Sequence, residues 1–291
     1  MSLFAESRHS VVLRRAASVL LFGALAVAPG ARASGQNFNF GNAFGCPDPQ
    51  IRNAQYDGRF AFLRLRYSGV GGYCYYRPPY PGAMNEPSWA HGYGYTDRGG
   101  TAESHLMSIM ANISSLRPHL DATNVLDVDS PDLFKYPVAF MVEAPYLNLN
   151  EREAANLRKY LKRGGFLILD DAGDDYGRGN RGSVGWDTMI AQLAKIRPDL
   201  KPMQLEVTHP IFHAFFDIPS FDIVPVSYRG RAQFYGYFEG NDPKKRLLMI
   251  MHFSTDISDF WEFSGVGFYP VDSANEAYKL GVNYIIYGLT H

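Results

Sequence analysis

Three stretches, 138–142 (VAFMV), 166–169 (FLIL) and 247–253 (LLMIMHF), are apolar without interruption. That is the pattern of strands covered on both faces. A fourth, 60–67 (FAFLRLRY), alternates apolar positions with Arg64 and Arg66 and reads as a strand. Shorter strands are predicted at 125–128, 203–207 and 223–228, the last paired with 232–238. Between them lie amphipathic helices. Over 101–116, Leu106, Ile109, Met110, Ile113 and Leu116 recur at helical spacing. The clearest helix spans 150–163, with Ala154, Leu157 and Leu161 on one face. Asn150 with Glu153, or Asn148 with Glu151, supplies a capping box, and Gly164 or Gly165 the stop. Helices are also predicted at 186–196 and 275–289. Buried strands alternating with helices predict an α/β domain over 58–291 with a mainly parallel sheet. A small β-hairpin insertion is expected near 221–240.

The N-terminus has a different pattern. Arg8, Arg14 and Arg15 precede an apolar stretch at 16–28 that is short for a bilayer span. Pro29 and Gly30 end it, and Ala31-Arg32-Ala33 forms an A-x-A site. Residues 1–33 therefore read as a signal peptide cleaved before Ser34, with an uncleaved anchor as the alternative. Arg14-Arg15 fits twin-arginine export poorly. The expected location is exported, periplasmic or extracellular, with no membrane span after cleavage. Residues 34–57 read as a flexible lead-in. In an oxidising compartment the two cysteines, Cys46 and Cys74, suggest one disulfide, with two inert thiols as the alternative. A formal net charge of -1 gives no field for nucleic acid.

Residues 68–100 are rich in Gly, Pro and Tyr and carry no period. Tyr73, Tyr75, Tyr76, Trp89 and Tyr93 offer an aromatic surface for a saccharide, although packing of the loop onto the domain is the favoured reading. The chemistry is sought where open parallel sheets bind ligands, beyond the C-terminal ends of the strands. Those ends carry Glu143, Asp170, Asp171, His252, Ser254 and Asp256, with Asp259 close behind. Asp170 and Asp171 are neighbours on a strand and point to opposite faces, so one of them is expected to act with His252 or Glu143. The competing reading makes them the solvated end of a strand, or a cap. His209 and His213 have helical ligand spacing, but no Glu follows His209, so a turn is the better reading. The Gly- and Arg-rich 174–183 lacks a Walker ending. No metal ligands are assigned and no cofactor is expected.

Together, FAFLRLRY, YPVAFMVEAPYLNLNEREAANLRKYLKRGGFLILDD, HPIF and EAYKLGVNYIIYGLT resemble domain-of-unknown-function family 4159. That resemblance implies a flavodoxin-like three-layer sandwich of the class I glutamine amidotransferase-like superfamily. Members of that superfamily with glutaminase activity place a nucleophilic Cys on the turn after a central strand. Asp170 and Asp171 stand there instead, which speaks against glutamine hydrolysis. The sequence reading leans away from catalysis, towards an exported binding module using a degenerate cleft. Its expected partner is a saccharide or an envelope protein. The alternative is an Asp/His-dependent hydrolase, with or without a metal, acting on an envelope saccharide or peptide-like polymer.

Overall fold

The uninterrupted apolar runs become the centre of a seven-stranded sheet in the computed structural model. The structure describes residues 51–69, 74–75, 86–93, 101–120, 123–173, 185–227 and 230–291. The strands are β1 (Leu63–Arg66), β4 (Asn124–Asp127), β5 (Val138–Met141), β6 (Phe166–Leu169), β7 (Met203–Gln204), β8 (Gln233–Phe238) and β9 (Leu247–Phe253). A separate two-residue ladder pairs β2 (Cys74–Tyr75) with β3 (Glu86–Pro87). The main sheet runs β4-β1-β5-β6-β9-β8-β7. Its first five strands are parallel, and β8 and β7 close one edge antiparallel. Numbered along the chain, the parallel strands stand in the order 2-1-3-4-5. Connections leave β1 and β5 in opposite directions, so a crevice opens beyond their C-terminal ends.

Helices α1 (Thr101–Ile113), α4 (Ile257–Glu262) and α5 (Val271–Thr290) cover one face. Helices α2 (Glu151–Lys162) and α3 (Trp186–Ile196) cover the other. Strand alternation explains why both faces are apolar. Val138 and Phe140 of β5 join the α1/α4/α5 layer, while Ala139 and Met141 join the α2/α3 layer. Helix α2 starts at the capping box of Asn150 and Glu153.

Three expectations are corrected. No strand forms among the described residues of 223–228. Phe221–Ile223 is a 3-10 turn, and Pro225 cannot donate to a ladder. Strand β8 therefore pairs with β9 and β7, and the hairpin insertion becomes an antiparallel sheet edge. Second, residues 51–57 are not a free lead-in. The Asn53 side chain bonds Val125 through both its amide atoms, at 2.8 and 2.7 Å, and Asn124 holds Ala54 at 2.7 Å. They cover the outer edge of β4, which would otherwise present unpaired backbone. Third, the alternation of 60–67 does not sort its arginines to one solvated face, because Arg64 is fully buried whereas Arg66 is half-exposed.

Candidate functional site

Three neighbouring parallel strands end alike. Beyond β5, β6 and β9, Glu143 (φ 54°), Asp171 (φ 64°) and Ser254 (φ 62°) adopt left-handed backbone. Each such non-glycine residue costs about 1–3 kcal/mol, and strain of this kind concentrates at functional sites. All three are buried.

The residue at the centre comes from elsewhere. His91 follows a 3-10 turn, Ser88–Ala90, between β3 and α1. Buried Arg64 of β1 anchors this segment by donating to the carbonyls of Trp89 at 3.1 Å and His91 at 2.5 Å, and it also pairs with Glu103 of α1. His91 Nδ1 lies 2.7 Å from Glu143 Oε1 and 3.8 Å from Asp171 Oδ2. His91 Nε2 lies 3.4 Å from Asp259 Oδ1. The Tyr269 hydroxyl donates to the other Asp259 oxygen at 3.2 Å. Gly92, next to His91, takes left-handed backbone (φ 72°), which glycine adopts without strain.

Two triads share this imidazole. Single ligating atoms of His91, Asp171 and Asp256 lie within 4.8 Å of one another, and so do those of His91, Asp259 and Glu262. Among the described residues Glu143 Oε2 is buried without a hydrogen-bond partner.

Electrostatics follow from this crowding. Burial disfavours the charged imidazole of His91, but hydrogen bonds to Asp259 and Glu143 outweigh it and raise its pKa well above the usual value. Burial, then the charges of Asp259 and Asp170, push the Asp256 carboxyl well above the usual range. Burial followed by Glu143 and Asp171 does the same to Tyr67, whose hydroxyl donates to the carbonyls of Val142 and Glu143.

Five of the six sequence candidates divide into two groups, and buried Ser254 donates its backbone N–H to the Ala172 carbonyl at 2.7 Å. Glu143, Asp171 and Asp256 join the His91 cluster. Asp170 and His252 pair with each other at 2.6 Å, both fully buried. Asp170 also accepts from the backbone of Ile257 and Ser258 at 3.2 and 2.9 Å, which makes it an anchor for the start of α4. Asp170 and Asp171 thus part company, and the pairing of one Asp with Glu143 or His252 is realised as Asp170 with His252. Asp256 caps α4 by accepting from Asp259 N.

Of the two aromatic readings, packing onto the domain describes Trp89 and Tyr93, and the open surface is corrected there. Trp89 and Tyr93 are buried in the α2/α3-side core and are no open platform. Tyr73, Tyr76 and the Tyr75 side chain lie outside the described residues, as do Cys46 and the Cys74 side chain. His209 caps a 3-10 turn, accepting from Ile211 N, while His213 pairs with Asp217. His91, Glu262 and a site role for Arg64 escaped the sequence reading, and Asp259 was noted only as lying close behind Asp256. The only local signal was the i, i+3 spacing of Asp259 and Glu262, which becomes visible once DISDFWE is read as a helix.

The chain matches the family model for a domain of unknown function, DUF4159, over residues 90–289. It belongs to that family. His91, Glu143, Asp171, Asp256, Asp259 and Glu262 all lie within the DUF4159 region, whereas Arg64 precedes it. No curated protein matches the chain. Among the described residues, no helix is long and apolar enough to cross a membrane.

Proposed function

We propose that this DUF4159 protein is an exported hydrolase whose active site is the cluster around His91. The observation that carries this reading is one imidazole held between Glu143 and Asp259, with Asp171 and Asp256 converging on it. Strained strand ends that drive buried carboxylates together concentrate at functional sites, which supports the reading. Asp171 takes a proton from water, the water oxygen adds to the electrophilic carbon of the substrate, and the proton departs with the leaving group. Glu143 orients His91, which stabilises charge developing beside it. The 2-1-3-4-5 strand order supports a flavodoxin-like fold of the amidotransferase-like type, with left-handed Asp171 where the resemblance puts that superfamily's cysteine. The signal-like N-terminus supports substrates of the envelope, saccharide or peptide-like.

The test is hydrolysis by the purified full chain of chromogenic glycosides, acyl esters and peptide-like envelope fragments. Turnover that falls at least ~100-fold in Asp171→Asn, in a protein that still melts cooperatively, is expected. Turnover undiminished in that variant, or none across the panel, returns the protein to the binding-module reading.

A further inference from the structure

The two nitrogens of His91 face different surroundings. Nδ1 is 2.7 Å from Glu143 Oε1, a carboxylate 1% exposed. That contact holds Nδ1 on the Glu143 side and turns Nε2 towards α4, where a bound cation would displace its proton. Nε2 faces Asp259 Oδ1 at 3.4 Å, and Glu262, one helical turn further along α4, completes a triad within 4.8 Å. Two ligands bound at about 2.1 Å in a tetrahedral site lie about 3.4 Å apart, so the His91–Asp259 spacing is that of two donors to one ion.

The supporting shell has the same form. A carboxylate behind the imidazole and a hydroxyl on the far oxygen of the aspartate are how metal ligands are held in place. Glu143 and Tyr269 occupy those two positions. The second oxygen of Glu143 is buried without a hydrogen-bond partner on the Nδ1 side of the imidazole.

From these contacts we infer that His91, Asp259 and Glu262 bind one divalent cation. The inference rests on reading this cluster as the working site, but not on what the site hydrolyses. One imidazole with two carboxylates suits manganese or zinc better than magnesium or calcium, which prefer all-oxygen shells. The deeper triad of His91, Asp171 and Asp256 is the weaker candidate. The Asp171 contact is to Nδ1, the nitrogen already engaged by Glu143, and Asp256 already caps α4.

The experiment uses the full chain stripped with a chelator. Manganese is titrated and followed by loss of the free-ion paramagnetic resonance signal. Zinc, magnesium and calcium are titrated calorimetrically. One manganese or zinc ion per chain is expected, with magnesium and calcium at least ~10-fold weaker. His91→Gln, Asp259→Asn and Glu262→Gln should each weaken binding at least ~10-fold, while Asp171→Asn and Asp256→Asn stay within ~3-fold of wild type. Glu262 is half-buried, so its variant keeps the test open if another fails to fold. No binding at millimolar ion overturns the inference. So does loss in Asp171→Asn or Asp256→Asn with Glu262→Gln unaffected. Binding without turnover upholds the cation site and counts against the hydrolase. Turnover that survives chelation, in a chain that binds no ion, does the reverse.

Discussion

Asp170 and Asp171 differ by one position and do different work. Asp170 is locked to His252 and to two backbone amides of α4, with no exposure. Leaving a buried polar group without its partner costs about 1–3 kcal/mol, and Asp170 serves His252 and two amides, so Asp170→Ala should lower unfolding free energy by several kcal/mol in urea titrations. Asp171→Asn should change stability by less, and act on turnover instead. A second residue-scale prediction concerns His209. Burial, then His291, holds its pKa below the ordinary 6.5, and its Nδ1 accepts from Ile211 N. The unfolded chain then binds more protons than the folded one just below that value. Stability from this group is present above pH ~6.5 and is lost as pH falls towards the folded pKa. Comparing melting temperatures of wild type and His209→Gln from pH 7.5 to 5 checks this. A smaller acid loss in the variant is expected.

At the scale of elements, the helices owe their positions to a few local devices. The Asn150–Glu153 box opens α2, and Asn150→Ala should cost about 1 kcal/mol by denaturant titration. Helix α5 approaches α4 closely because Gly281 has no side chain. A Cβ there would lie 2.5 Å from Trp261 Cζ2. Gly281→Val should destabilise by about 1–3 kcal/mol through overpacking. Because α4 carries Asp259 and Glu262, the same variant should also weaken cation binding in the titration above. The capping box was legible in the sequence because its partners stand three residues apart. Helix α4 was not, because six residues give too little period, and its capping by Asp256 looks the same as a loop carboxylate.

For the whole molecule, the site depends on contacts between residues far apart in the chain. Arg64 lies in the first strand, 27 residues before His91, yet it fixes that residue's backbone. Replacing the Arg64–Glu103 pair jointly by Met and Leu should leave a folded chain, since a buried ion pair exchanged for apolar groups is often neutral. It should still weaken cation affinity, because the carbonyls of Trp89 and His91 lose their common anchor. Circular dichroism melts alongside the titration separate the two effects. Affinity equal to wild type would show that the 89–91 segment holds itself.

The sequence by itself determined the parallel centre of the sheet, the main helices and the end of the sheet where polar groups gather. Those depend on uninterrupted apolar runs and helical periods, which are local along the chain. It placed Glu143, Asp171 and Asp256 at that end, because each follows a readable strand. Only the tertiary structure decided which acid serves the fold and which the site. Left-handed backbone turns Asp171 towards His91, whereas Asp170 meets the start of α4. Only the tertiary structure found His91 itself, since an isolated histidine in a loop without period acquires its partners through folding.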